Sequence, residues 1–260
     1  MKTNMIDAGH GGYDSGAPGV HGCLEKNIVL EVANKVNDYL KTQNIKNINT
    51  RTTDVFLTLN DRTNEANKLG VNSFVSIHCN SSDNPNAQGL ETYCYKFKYR
   101  ALADAIHSEL INDRLYTKNR GVKEGNLHVV RESNMDACLV ELGFINNEAD
   151  YNLIMNNKDK FAKAIAKGIC KFNGVTWKES SNTTSNEGFK NRDYSGRKAR
   201  VIADVLNIRY DRGTQYNVIG QVKNGDIVNL QYCLNGWISI EGFKGNKGLG
   251  YVSSKFLELI

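Results

Sequence analysis

The amino-acid sequence predicts an α/β fold, with a mostly parallel twisted sheet flanked by helices, followed by a second, smaller all-β barrel. The first prediction depends on short apolar runs that alternate with amphipathic helical patterns up to about residue 175. The second depends on a change of pattern, because residues 178–188 contain no apolar side chain and only short alternating runs follow residue 200. We therefore expect one domain at 1–175, a polar linker at 176–196 and a β domain at 197–260.

Periodicity and capping residues define the elements of the first half of the α/β domain. Apolar residues at helical spacing follow Glu25, and Thr58 is placed to cap a helix that Gly70 ends. The predicted elements, in chain order, are a strand at 1–7, a helix from Glu25 through Leu40, a strand at 44–50, a helix at 59–69, and strands at 73–78 and 89–96.

The second half of this domain continues the alternation. Its predicted elements are a helix around 102–111, a hairpin or short strand pair at 121–131, an apolar strand at 137–140 that Glu141 ends, a helix at 148–155 and a last helix at 161–169. In the C-terminal domain, Asn-Gly turns at Asn224 and Asn235 separate the short runs, which is typical of antiparallel strands.

Composition limits the class of protein. No segment of the 260 residues approaches the ~20 consecutive apolar residues of a membrane span, so we expect no membrane insertion. The N-terminus lacks a basic start followed by an apolar core, which predicts no secretory signal. None of the six cysteines forms a C-x-x-C pair, and we expect reduced thiols. Most of the formal charge of +5 lies in the C-terminal third, because residues 176–260 contain 12 Lys and Arg against 8 Asp and Glu. This excess favours binding to an anionic surface, such as a wall polymer or nucleic acid, and the alternative is that it serves only solubility.

A glycine-rich loop between the first strand and the first helix is the strongest candidate for a functional site. It holds His10 just past the strand, and Glu25 opens the helix that follows. Imidazole and carboxylate are both zinc ligands. A phosphate-binding loop would need a G-x-G-x-x-G or G-K-[ST] pattern, and neither occurs here. We interpret the loop as part of a metal site.

Two further polar residues stand beside buried strands, where parallel sheets present ligands. His78 follows one apolar strand and Glu141 follows another. With His10 and Glu25 they supply two histidines, one ligating carboxylate and one spare carboxylate. This set of side chains is typical of a zinc hydrolase, in which three protein ligands leave one coordination position open for water.

Several separated motifs resemble those of the zinc-dependent N-acetylmuramoyl-L-alanine amidases of the amidase-3 family. They are Ile6-Asp7-Ala8-Gly9-His10-Gly11-Gly12, Glu25-Lys26, Ser76-Ile77-His78-Cys79-Asn80, Asn119-Arg120-Gly121-Val122 and Val140-Glu141-Leu142-Gly143-Phe144. The resemblance covers about residues 1–175. It implies that His10, Glu25 and His78 bind Zn²⁺ and that Glu141 is catalytic. Cys79 departs from the family, where a small apolar residue is more usual.

This resemblance implies cleavage of the amide between N-acetylmuramic acid and L-alanine in peptidoglycan. Two alternatives stay open: a zinc peptidase or carboxypeptidase that cuts within the stem peptide, and a wall-binding protein without activity. The predicted partner is peptidoglycan, and nucleic-acid binding is not expected. The remaining histidines are not expected to bind the metal, and His107 is predicted to lie on the surface.

The C-terminal domain resembles a bacterial SH3 domain of the wall-binding type, on motifs that include Asn235-Gly236-Trp237 and Gly250-Tyr251-Val252. Tyr210, Tyr216, Trp237 and Tyr251 are candidates to line a groove for glycan or peptide. A wall-binding domain without a signal peptide implies a phage endolysin, made in the bacterial cytoplasm and released through a holin. A bacterial autolysin is the alternative.

Overall fold

The computed structural model describes residues 2–179 and 189–260, and the chain divides into two compact units, residues 1–179 and 180–260. Apart from Lys178 and Glu179, the polar stretch that the sequence assigned to a linker lies outside the described residues. None of the helices in the described ranges combines the length and apolar character needed to cross a bilayer.

The first unit alternates strands and helices. Its elements are β1 (Thr3–Ala8), α1 (Glu25–Thr42), β2 (Lys46–Asn49), α2 (Leu59–Leu69), β3 (Ser73–Asn80), β4 (Leu90–Cys94), α3 (Ala101–Asn112), β5 (Asn119–Glu124), α4 (His128–Arg131), β6 (Asp136–Phe144) and α5 (Glu148–Phe172). The cap predicted at Thr58 is confirmed: its side chain accepts from the Asp61 backbone N–H, and the Asp61 side chain accepts from the Thr58 N–H, as a capping box requires.

One six-stranded sheet in the order β2-β1-β3-β6-β4-β5 forms the centre of this unit. Every neighbouring pair is parallel except β4 with β6, which is antiparallel. The predicted α/β class with a mostly parallel sheet is therefore confirmed.

Helices cover the two faces of the sheet unequally. On one face α1, α3 and α5 bury the larger core, which contains Ile77 and Val140. On the other face the shorter α2 and α4 pack on Phe74 and Leu139. Because successive strand residues alternate between faces, His78 shares the second face with Phe74. The second face is only partly covered by helices, and the candidate site lies on it.

The two helical segments predicted at 148–155 and 161–169 are both present within α5, on either side of a kink at the non-helical residue Asn157. Two predictions about local structure are corrected. Residues 121–131 do not form a hairpin, because β5 pairs in parallel with β4 and a short helix, α4, follows. Glu141 does not end its strand: β6 continues to Phe144, because β3 supplies a pairing partner beyond His78.

The second unit is all-β, as predicted. Its strands are β7 (Arg192–Asp193), β8 (Lys198–Val201), β9 (Val205–Arg209), β10 (Val218–Lys223), β11 (Ile227–Leu234), β12 (Trp237–Ile240), β13 (Gly250–Ser253) and β14 (Leu257–Leu259), and all their pairings are antiparallel. Phe189 and Tyr194 pack into its core. This unit therefore begins before residue 197, where the sequence placed the boundary.

Candidate active site

Three of the four predicted site residues form one cluster. The Nε2 atom of His10 lies 3.2 Å from Oε1 of Glu25, and Nδ1 of His78 lies 3.1 Å from the same oxygen. One ligand atom from each of the three residues lies within 4.8 Å of the other two. Among the described residues this is the group of histidine and carboxylate side chains that could hold a metal ion.

Each member comes from a different element at one end of the sheet. His10 follows β1 and has φ +59°, Glu25 is the first residue of α1, and His78 lies near the end of β3. Gly9 makes the close approach possible, because a Cβ at this position would lie 2.2 Å from Cε1 of His78. The absence of a side chain at Gly9 therefore lets the backbone of the loop lie directly against the imidazole ring of His78.

Glu25 is fixed by hydrogen bonds that do not depend on a metal. It is 2% exposed, Oε1 accepts from the Cys79 backbone N–H at 2.8 Å, and Oε2 accepts from the Ala17 N–H at 2.8 Å. Burial alone would raise its pKa, but hydrogen bonds from His10 and His78 outweigh burial and hold the pKa of Glu25 well below its ordinary value. The side chain is therefore an anion at neutral pH.

Asp14 orients the imidazole of His10 from the opposite side. Its Oδ2 lies 2.9 Å from Nδ1 of His10, so the Nε2 atom is left to face Glu25. Burial lowers the pKa of His10, but the neighbouring carboxylates of Glu25 and Asp14 raise it by more, and the net change is upward. A carboxylate on the outer nitrogen is the usual arrangement behind a metal-binding histidine.

A buried arginine holds the backbone on which His10 stands. Arg62 of α2 donates from Nη1 to Oδ1 of Asp7 at 2.6 Å and to the Ala8 carbonyl at 2.7 Å, and from Nη2 to the His10 carbonyl at 2.8 Å. Both charged side chains are almost fully buried. This ion pair fixes the left-handed backbone conformation of His10.

Arg51 supports the same loop from the other side. It donates from Nε to the Ala8 carbonyl at 2.9 Å, and from Nη2 to the carbonyls of Gly9 at 2.8 Å and Lys26 at 3.0 Å. Lys26 in turn donates to the Gly12 carbonyl at 2.7 Å. Two arginines and a lysine therefore tie the loop to the start of α1.

Glu141 lies beside the cluster without belonging to it. It is the register partner of His78 across the β3–β6 pair, so both side chains are on the same face. Its Oε2 is buried and has no hydrogen-bond partner among the described residues. Burial, with smaller opposing and reinforcing effects of nearby charges, raises the pKa of Glu141 to about 7. A buried, unpartnered carboxylate near neutrality can take up or release a proton.

The sequence left several contributors unassigned. The sequence assigned no role to Asp14, Arg51 or Glu91. The spacing of four residues between His10 and Asp14 inside the loop was the one available signal.

The other histidines and Cys79 lie outside the cluster. Cys79 is buried in the larger core on the opposite face from His78, and burial raises the pKa of its thiol well above the ordinary value. His21 pairs with Glu148. His107 was expected at the surface, but it is 7% exposed, and Thr92 and Asn119 lie within hydrogen-bond distance of its ring nitrogens. The expectation was wrong because α3 packs on the sheet along the side that carries His107.

Of the four aromatic residues proposed for the second unit, one is excluded as a groove residue. Tyr251 is 1% exposed and donates from Oη to the Asn246 carbonyl at 3.1 Å, so it belongs to the interior. Tyr210 and Tyr216 are exposed. Trp237 lines a cavity of about 470 Å³ together with Arg209.

A mostly parallel sheet that carries a group able to hold a metal ion beside a buried carboxylate is an arrangement typical of hydrolases. The chain belongs to the N-acetylmuramoyl-L-alanine amidase family, amidase-3, whose model matches residues 5–171. A bacterial SH3 domain matches residues 204–258.

Individual relatives agree with this assignment. The sporulation-specific N-acetylmuramoyl-L-alanine amidase of Bacillus subtilis is 35% identical over 211 residues, which is 79% of each chain. The endolysin of Bacillus phage SPP1 is 36% identical over 64% of this chain and 63% of its own. The catalytic domain of the amidase CwlV from Bacillus (Paenibacillus) polymyxa superimposes with a TM-score of 0.65 at 37% identity, over 68% of this chain and all of that one.

Proposed function

We propose that this chain hydrolyses the amide between N-acetylmuramic acid and L-alanine in peptidoglycan, with Zn²⁺ held by His10, Glu25 and His78. The observation that carries the proposal is the spacing of the donor atoms. Oε1 of Glu25 lies 3.1–3.2 Å from a nitrogen of each histidine. Tetrahedral zinc with ligands at about 2.0–2.1 Å requires donor atoms about 3.3 Å apart. The two separations from Glu25 match this requirement, and the nitrogens of the two histidines lie within 4.8 Å of each other.

Three protein ligands leave one position open, which distinguishes catalytic from structural zinc sites. Zinc bound there supplies Lewis acidity for the scissile carbonyl and an acidified water. The Asp14 carboxylate keeps the His10 ring in the ligating orientation, and Arg62 keeps its backbone in place.

Glu141 is the general base in this proposal. Its unpartnered Oε2 accepts the proton of the attacking water and then delivers it to the leaving amine of L-alanine. The raised pKa of Glu141 supports this role, because a base near pH 7 can both accept and return a proton.

The Glu141→Gln variant tests the role of Glu141 directly. It keeps the shape and loses the proton acceptor, so we expect bound zinc to be retained while hydrolysis of purified wall falls by at least ~10²-fold. His78→Ala is the contrasting variant, and it should lose the metal. Parental activity in Glu141→Gln would remove Glu141 from the mechanism, and loss of zinc from it would make Glu141 a ligand.

Product analysis of the parent enzyme distinguishes the amidase from a stem-peptide peptidase. An amidase releases the amino terminus of L-alanine and leaves the glycan intact. A new amino terminus on any later stem residue would overturn the proposed bond.

We further propose that the SH3 domain holds the enzyme on the wall and that the two domains work separately, with the first cutting and the second binding. A tethered binding domain raises the effective concentration of the enzyme at its polymer. The fragments 1–179 and 189–260 test this, and an unfolded or inactive 1–179 would contradict it.

A further inference from the structure

A second buried carboxylate lies on the same face of the sheet as Glu141. Glu91 of β4 is 2% exposed and accepts four hydrogen bonds. Asn80 and Tyr93 donate to Oε1 at 2.5 and 2.8 Å, and Arg120 and Lys123 donate to Oε2 at 2.5 Å each. Both oxygens of Glu91 are therefore hydrogen-bonded, and the carboxylate holds the cationic groups of Arg120 and Lys123 in place.

An irregularity in the backbone of β5 allows both Arg120 and Lys123 to reach Glu91. Residues three apart in a regular strand point to opposite faces of the sheet. Opposite Glu91, β5 contributes both Arg120 and Gly121, and Gly121 has φ +81°. This bulge adds one residue to the strand, so Arg120 and Lys123 both point toward Glu91.

The cluster carries an excess positive charge with donors to spare. One carboxylate balances only one of the two cations. Among the described residues, Arg120 uses only Nε in hydrogen bonding and stacks over the Phe144 ring at 5.1 Å, which leaves its Nη1–Nη2 edge open. Lys123 uses one of three N–H donors, and the two side chains are 29% and 36% exposed. An open guanidinium edge suits a carboxylate with two oxygens.

We infer that Arg120 and Lys123 form a binding site for the first free carboxylate of the stem peptide, on the second residue after the scissile amide. The inference rests on the proposed function of the site. Glu141 and Glu91 are register partners on adjacent strands, and β5 lies one strand further. Neighbouring strands are about 4.8 Å apart, so the backbone of β5, which carries Arg120 and Lys123, lies about 10 Å from the backbone of β6, which carries Glu141.

The length of the substrate matches this offset. Two extended residues beyond the scissile nitrogen cover about 7 Å, and the side chains of Arg120 and Lys123 bridge the remaining distance. A carboxylate bound there would fix the direction of the stem peptide across β6, β4 and β5, and the scissile carbonyl would lie beside Glu141.

The test compares two soluble substrates that differ in one group. N-acetylmuramoyl-L-alanyl-D-glutamine has a free α-carboxylate, and its α-amide has none. We expect Arg120→Gln to raise KM for the carboxylate substrate by roughly 10- to 100-fold while KM for the amide changes less than about threefold. Lys123→Gln should act in the same direction, and Arg120→Lys should be intermediate.

The control is Arg100→Gln, which removes an arginine paired with Asp104 on α3, on the other side of the sheet. It should alter neither KM. Equal losses on the two substrates in Arg120→Gln would mean that the cluster only supports the fold, and no loss on either would mean that the carboxylate binds elsewhere; both results overturn the inference. If the parent enzyme cleaves neither substrate nor purified wall, the proposed amidase function itself fails.

Discussion

The two units differ in what they bury. The first unit buries charged side chains that are hydrogen-bonded to other side chains or to the backbone: Asp7, Glu25, Arg51, Arg62, Glu91 and Asp150. In the described part of the second unit, the buried polar side chains are two serines, Ser239 and Ser254, within an otherwise apolar core. Its candidate binding residues, such as Tyr210 and Tyr216, are exposed.

This contrast separates two ways of building a functional surface. In the first unit, the buried charges fix the proposed ligands and the proposed base in position, as catalysis by fixed electrostatic groups requires. In the second unit, the candidate binding side chains are exposed on the surface and do not form part of the apolar core. The first unit should therefore respond strongly to loss of a charge, and the second should not.

The largest effect is expected from removing a buried arginine. Arg62→Met leaves Asp7 buried without its ion-pair partner, which should lower the free energy of unfolding of the first unit by about 3–5 kcal/mol. The same change in the second unit, Arg200→Met, removes a side chain that is 51% exposed and should cost less than about 0.5 kcal/mol. Urea unfolding followed by circular dichroism at 222 nm reports the first unit, and Trp237 fluorescence in a Trp177→Phe background reports the second. Equal losses would contradict the comparison.

The next effect concerns the buried base and depends on pH. Because the pKa of Glu141 in the folded metal-free protein is raised to about 7, the folded state holds an extra proton between about pH 4.5 and 7. The free energy of unfolding therefore falls as pH rises through this window, and at pH 8 this titration has lowered it by about 3 kcal/mol relative to pH 4. Glu141→Gln cannot titrate, so its stability relative to the parent should be unchanged at pH 4 and higher by about that amount at pH 8. Unfolding in the presence of a chelator measures it, and a gain independent of pH would rule out the titration.

Metal addition should stabilise one unit only. If the His10, Glu25 and His78 group binds zinc, free Zn²⁺ at one hundred times its dissociation constant raises the free energy of unfolding of the first unit by about 2.7 kcal/mol. The described residues of the second unit contain no comparable group. Calorimetry with and without zinc should move one transition and leave the other in place, and movement of both would indicate nonspecific binding.

The smallest effect is expected from a matched pair of serines. Ser76 donates to the buried carboxylate of Asp7 at 2.7 Å, whereas Ser254 donates to the Gly236 carbonyl at 3.0 Å. Hydrogen bonds to charged groups are stronger, so Ser76→Ala should cost about 2 kcal/mol and Ser254→Ala about 1 kcal/mol. The urea midpoints of the two units measure both values, and the reverse order would weaken the distinction between charged and neutral interiors.

Periodicity predicted the elements well and their pairing less well. The helix that starts at Glu25 and the cap at Thr58 were confirmed, because both are local signals. The antiparallel pairing of β4 with β6 was not predicted, because it joins segments far apart in the chain. His78 and Glu141 were placed at strand ends by their polarity, whereas both lie within strands that continue beyond them.

The buried charges were the least predictable feature of the site. A charged residue is normally interpreted as exposed, and Arg51 becomes a buried donor only because β1 brings the carbonyls of Ala8 and Gly9 to it. Of the four hydrogen-bond donors to Glu91, Tyr93 lies two positions away in the same strand, and the other three lie 11 to 32 positions away. No spacing rule connects such residues before the sheet is assembled.

The bulge in β5 makes the placement of the two cations depend on one backbone conformation. Gly121 has φ +81°, which residues with a side chain adopt only with strain. In a strand without the bulge, Arg120 and Lys123 would be three positions apart, so Lys123 would turn to the helix-covered face and the pair of cations on Glu91 would be lost although every charged residue remained. Deleting Gly121 would instead leave the two cations two positions apart and on the same face, so we expect homologous chains either to keep a glycine at this position or to lack the position altogether.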